Sequence, residues 1–166
     1  MLKIRKGIFE TNSSSTHAIA IPTTWVEPGI YGDSIEFDFD EYGWSNNFHD
    51  FKNYLWTAIN YLDGDGELHN TSEEWEDKIR TVLSPYYKDI IFNKPTDKDW
   101  FYIDHGYELI ELLNELYCDD DLLLNAIFYG EVATSNDNCY DDEREDYCNF
   151  IKEHEELEDY VYIKGN

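Results

Sequence analysis

The sequence predicts a single α+β domain over residues 1–166, a mixed or antiparallel sheet with about five helices packed on it. Three observations lead there. A chain of 166 residues is the size of one domain and long enough to bury a core without disulfide or metal staples. Aromatic residues make up 17% of it, bulky core material that disordered acidic chains lack. Segments of strand period and segments of helix period follow one another as hairpin-like strands and helix pairs, not in strict βαβ alternation.

The elements read as follows. Residues 2–5 and 16–21 are short strands, the second alternating through Ala18, Ile19, Ala20 and Ile21. Residues 22–34 carry the Thr, Pro and Gly of a loop, and IEFDF at 35–39 alternates apolar and acidic like a half-solvated strand. Phe48, Phe51, Leu55, Ile59 and Leu62 recur at helical spacing, predicting an amphipathic helix over 47–62 that DGDG at 63–66 ends. A second helix starts at Thr71 with Glu74 completing a capping box, runs through Trp75, Ile79 and Val82, and stops before Pro85. Strand-like YYKDIIF (86–92) and WFYI (100–103) follow. Helices are predicted over 107–117 and 120–129, divided near Asp119, Asp120 and Asp121, a triplet that suits the positive start of a helix dipole. The chain closes with a strand at 131–134, a loop at 135–142, a helix at 143–156 burying Tyr147, Phe150 and Ile151, and a strand at 160–163.

Charge narrows the function. The net charge is −25, from 37 acidic and 12 basic side chains, and no Lys or Arg occurs from Gly7 to Phe51 or from Asp99 to Glu143. Proteins bind free DNA or RNA by letting Lys and Arg displace counterions from phosphates, so free nucleic acid is an unsuitable ligand here, as is an anionic membrane. A basic protein partner, reached by electrostatic steering that salt weakens, suits this balance. High solubility alone is the plainer account. Three cysteines, Cys118, Cys139 and Cys148, show no metal spacing and an odd count, so free thiols are expected. No signal peptide and no bilayer-length apolar run are apparent, and a reducing cytoplasm is the simplest expected location.

The densest chemistry lies in FETNSSSTH, Phe9 to His17, where a carboxylate, an amide, five hydroxyls and an imidazole fall within eight consecutive residues. A tight loop accounts for some of this, since Ser, Thr and Asn bond their own backbone in turns. Such a loop needs neither the concentration nor the flanking Glu10 and His17, and a carboxylate beside a histidine is acid–base machinery. Asp104 and His105 follow strand-like WFYI, and TSNDN (134–138) follows another apolar run. Either can be an ordinary cap or turn, yet three segments place polar residues just outside a strand. Asp63, Asp65, Glu67 and Glu74 imitate calcium-loop spacing, but Leu68 stands where the loop needs glycine. No Walker loop, dinucleotide fingerprint, zincin motif or nucleophile elbow occurs, and no cofactor or metal is expected.

The run K-x-R-x-G-x-F-E-T-N-S-S-S-x-H, Lys3 to His17, resembles the opening of a family of small proteins from Gram-positive bacteria, their phages and mobile elements. EYGW at 41–44, NYLWTAI at 53–59, YIDH at 102–105 and TSNDN are similar to further fragments of it. Some members look like relatives of type II anti-CRISPR proteins, including ones implicated in loss or truncation of guide RNA. The resemblance implies one wall of a site from Glu10, Thr11, Asn12, Ser13, Ser14, Ser15 and His17, and another from Asp104, His105, Asn136, Asp137 and Asn138.

Three functions are then open. In an RNA-cleaving enzyme, His17 and His105 act as base and acid, Glu10 or Asp104 orients them, and Asn12 with the hydroxyls of Ser13, Ser14 and Ser15 donates to the developing negative charge, with Asp137 in the opposite wall. The acidic chain requires such RNA to be presented by a basic carrier, an RNA-guided nuclease. In a nucleic-acid mimic, acidic surfaces around Asp38, Asp40, Glu41, Asp119, Asp120, Asp121, Asp141 and Asp142 block a basic channel of that nuclease. An unrelated small cytoplasmic enzyme is the third. The reading that uses both charge and polar segment is an inhibitor that docks by its acidic surface and acts through FETNSSSTH.

Overall fold

The computed structural model describes residues 15–25, 27–28, 32–39, 41–42, 47–94, 96, 102–103, 106–136 and 141–165. It is an α+β arrangement with a four-stranded antiparallel sheet in the order β4-β7-β1-β8. Its strands are β1 (Ser15–Pro22), β4 (Asn47–Asp50), β7 (Glu131–Asn136) and β8 (Tyr160–Gly165). Two parallel pairs stand apart: β2 (Ser34–Phe37) with β5 (Asp89–Phe92), and β3 (Glu41–Tyr42) with β6 (Tyr102–Ile103). Among the described residues the α-helices are α1 (Phe51–Gly64), α2 (Ser72–Leu83), α3 (Ile110–Cys118), α4 (Asp120–Tyr129) and α5 (Asp141–His154).

The alternation in β1 explains the layering. Ile19 and Ile21 point into the larger core, shared with Phe51, Leu55 and Ile59 of α1 and with Leu123 and Ala126 of α4. Ala18 and Ala20 point the other way and meet Ala133, Tyr147 and Phe150, so α5 covers the second face. Alanines on that face let the rings of α5 lie close to the sheet, while branched side chains fill the wider gap beneath α1 and α4.

Most predicted elements stand, with shifted ends. The capping box is present: Thr71 Oγ1 accepts from Glu74 N at 3.3 Å and Glu74 Oε2 accepts from Thr71 N at 2.8 Å. Gly66, at φ 71°, turns the chain after α1 in a conformation other residues resist. Asp119 caps α4 by accepting from Leu122 N at 3.0 Å. The helix predicted over 47–62 begins instead at Phe51. Residues 47–50 pair with β7, and Phe51 N donates to Gly130 O at 2.9 Å, so ladder bonds to a distant strand override the helical spacing. Residues 86–88 are not strand: the chain turns over 84–86, with the amides of Tyr86 and Tyr87 both reaching back to Leu83 O, and β5 begins only at Asp89. The helix predicted over 107–117 opens as a short 3-10 turn, Gly106–Leu109, before α3. The loop predicted over 135–142 is narrower, as β7 continues to Asn136 against Ser15 and α5 starts at Asp141. The strand predicted over 2–5 lies outside the described residues.

The small parallel pair has two edges, and a cation covers a carbonyl on each. Lys52 Nζ donates to Glu36 O at 2.7 Å on the β2 side, and an Arg80 guanidinium N–H donates to Ile90 O at 2.6 Å on the β5 side. Arg80 also lies over Phe92, 4.8 Å from its ring centre. Occupied carbonyls and charge at an edge discourage pairing with another chain.

Candidate functional site

Antiparallel pairing joins two of the polar segments. FETNSSSTH enters β1 and TSNDN leaves β7 at the same end of the sheet, with Ser15 opposite Asn136, Thr16 opposite Ser135 and His17 opposite Thr134. His17 shares the face of Ile19 and Ile21, and Thr134 that of Val132, so both look toward α1. Ser135 follows Ala133 onto the α5 face. His17, Thr134 and Ser135 are 4%, 2% and 5% exposed, an unusual concentration of buried polar groups at one strand end.

Tyr54, in the first turns of α1, meets the histidine. His17 Nδ1 and Tyr54 Oη share a hydrogen bond of 2.7 Å, and the rings approach edge-to-face with centres 5.7 Å apart. Tyr54 is 1% exposed, so the bond is made in a low-dielectric interior where it fixes the imidazole's orientation. A phenol engaging one ring nitrogen defines what the other can do in proton transfer. This arrangement supplies a positioned His–Tyr pair at the base of the FETNSSSTH segment.

The other proposed members are divided. Glu10, Thr11, Asn12, Ser13, Ser14, Asp104, His105, Asp137 and Asn138 lie outside the described residues, and Ser15 and Asn136 are placed by backbone alone. Tyr107, the first side chain described after His105, donates its hydroxyl to Asp65 Oδ2 at 3.0 Å, at the C-terminal end of α1. Of the acidic residues, Asp38 accepts from Phe39 N at 2.9 Å, Asp119 caps α4 and Asp120 pairs with Lys78. Asp119, Asp120 and Asp121 are all exposed at the α3–α4 junction. Glu41, Asp141 and Asp142 are placed by backbone, and Asp40 lies outside the described residues.

Three of the four calcium-like carboxylates hold the fold. Asp63 accepts from Ser72 N at 3.1 Å, Asp65 from Tyr107, and Glu74 from Thr71. Among the described residues no three His, Cys, Asp or Glu side chains are grouped to hold a metal, and no helix is long and apolar enough to cross a membrane. Cys118 is exposed and Cys148 half-buried, both as thiols.

Sequence reasoning missed Tyr54 as a member of the site, although it lies in the NYLWTAI fragment already singled out. It also missed Asn125, fully buried in α4, whose amide donates to Pro22 O at 2.9 Å and Thr24 O at 3.1 Å. That side chain fixes the chain as it leaves β1. No family model, curated protein or solved structure matches this chain.

Proposed function

We propose that the protein is a phage or mobile-element inhibitor of an RNA-guided nuclease, of the type II anti-CRISPR kind, docking by its acidic surface in the bacterial cytoplasm. The observation that carries this is the charge and its arrangement. The net charge is −25, and four of the twelve cations are already paired with carboxylates: Lys78 with Asp120, Arg80 and Lys94 with Glu76, and Lys88 with Asp33. Lys52 is turned onto Glu36 O and Asn53 Oδ1. The outward field is therefore negative, repelling free RNA and attracting a basic channel built for nucleic acid. The resemblance of Lys3–His17 to the small-protein family supplies the class of partner.

A second activity at the same partner would draw on the polar segments whose strand ends meet at His17 and Thr134. In this reading docking brings guide RNA to the sheet end where FETNSSSTH and TSNDN meet. His17 is 4% exposed and held by Tyr54, so it can act as a proton-transfer group on a phosphodiester only where docking opens that end of the sheet to the RNA. The alternative is a mimic that blocks the channel with the guide intact.

The test incubates the protein with a type II nuclease, with and without guide RNA, and follows DNA cleavage and guide length on denaturing gels. Docking predicts a one-to-one complex, weakened by salt, that loses DNA cleavage. Guide shortened by the wild type but intact with a folded His17→Ala variant assigns catalysis. Intact guide in both assigns mimicry. Absence of both complex and inhibition at low salt, across the effectors tested, overturns the reading.

A further inference from the structure

At the opposite end of β1 from His17 the surface is hollowed. One cavity of about 710 Å³ runs between the α3–α4 junction and the approach to β8. Four carboxylates line it: Glu115, Asp119, Asp121 and Glu158. Leu122, Tyr160 and Val161 give it an apolar side. A second, separate cavity of about 420 Å³ shares Tyr160 as a lining residue and is also lined by Phe128, Tyr129, Asp50 and Glu131. Pro22 lines one and Thr23 the other, so the end of β1 divides them, held there by Asn125. No Lys or Arg is among the described residues lining either, although Glu131 faces His154 Nε2 at 3.6 Å and Asp119 caps α4.

The combination selects a ligand. A purely acidic patch attracts any cation, and a purely apolar groove attracts any hydrocarbon. Carboxylates above aliphatic and aromatic walls match a side chain with an apolar stem and a cationic head. A guanidinium fits best, because it stacks on aromatic faces and takes carboxylates in a planar fork. Burial and the neighbouring Glu111 raise the Glu115 carboxyl above its usual range, a cost that an incoming cation relieves.

We propose that this double groove is the docking site for an arginine-bearing basic segment of the partner protein. The proposal rests on the docking reading above and gives it a location. His17 and Pro22 are five residues apart on β1, a separation of about 16 Å, so the groove and His17 lie at opposite ends of that strand.

The experiment uses the full chain and a fluorescein-labelled nona-arginine peptide, with nona-lysine and spermine as comparison probes, read by anisotropy at low and moderate salt. The groove variant combines Glu115→Gln, Asp119→Asn, Asp121→Asn and Glu158→Gln, with asparagine retaining the α4 cap. A control variant removes the same charge elsewhere through Glu73→Gln, Asp77→Asn, Glu145→Gln and Glu153→Gln. The groove variant is expected to lose about tenfold or more in affinity for nona-arginine, and the control much less. Nona-arginine is expected to bind more tightly than either comparison probe. Equal loss in both variants, or equal binding of spermine, overturns the groove and leaves docking by general field. No binding of any cationic probe at low salt overturns the docking reading itself. A measurement on the wild-type chain avoids dependence on folding of the variants. Cys118 lines the groove and is exposed, so nona-arginine should protect it from N-ethylmaleimide, with half-buried Cys148 as the internal reference. Unchanged Cys118 labelling in the presence of saturating peptide contradicts the proposal.

Discussion

At the scale of residues, the chain's chemistry depends on a few long-range bonds. His17 was legible as a candidate because it ends a dense polar run. Tyr54 was not, because it lies 37 positions away and reads as ordinary buried helix. Asn125 was hidden for the same reason, reaching backbone 101 and 103 positions earlier. Local patterns carry no record of such partners. Tyr54→Phe keeps the ring and removes the hydroxyl bonded to His17 Nδ1. It is expected to cost about 1–3 kcal/mol in urea unfolding, the range for removing one partner from a buried polar pair. A cost near zero would mean that the pair does not hold the base of the polar segment.

At the scale of elements, what could be read was what neighbours decide. The α2 capping box lies within four residues, and the Ala–Ile alternation of β1 assigns its two faces. The start of α1 could not be read, since Phe48 fits the helical spacing and only β7, more than eighty residues later, shows that 47–50 is a strand. Gly130 ties these elements together. Its carbonyl receives Phe51 N, and a Cβ there would stand 2.4 Å from Ala126 O and 2.7 Å from Phe51 Cβ. Its φ of −69° and ψ of 139° suit any residue, so the requirement is space and not conformation. Gly130→Ala is therefore expected to destabilise by about 1–3 kcal/mol, the usual cost of overpacking. An unchanged melting temperature would contradict the close packing of α1, α4 and β7.

At the scale of the whole molecule, charge dominates. Self-repulsion at net −25 opposes the compact state. Raising ionic strength from about 10 to 150 mM shortens the Debye length from about 30 to 8 Å, so the melting temperature should rise with salt. A fall would mean that ion pairs such as Lys88–Asp33 outweigh repulsion. Two carboxylates give the pH dependence opposite signs. Burial pushes Glu76 upward, but hydrogen bonds and charge from Lys94 and Arg80 outweigh it and leave its pKa lowered. Its stabilisation is present above the unfolded value and lost as pH falls through the folded one. Burial and Glu111 raise Glu115, so its ionised form costs stability above the folded value and not below the unfolded one. Glu115→Gln is expected to raise the melting temperature at neutral pH, with the gain vanishing on acidification through the carboxylate range. A gain independent of pH would contradict that assignment.

The pairing of FETNSSSTH with TSNDN was implied only by the family resemblance, whereas fold class and the polar segments themselves were within reach of the sequence, since strand period and polar clustering are local. The acidic groove was not, although Glu111, Glu115 and Asp119 follow one another at four-residue spacing along one side of α3. Its other wall comes from β8 and the end of β1, which only the tertiary fold brings near. The central claim is docking on a basic protein by charge. It is tested most directly by titrating the protein into a purified, guide-loaded type II nuclease and measuring affinity across a salt series. The account predicts a one-to-one complex whose affinity falls steadily as salt rises, together with loss of DNA cleavage. No complex at low salt, or a complex indifferent to salt, would contradict it.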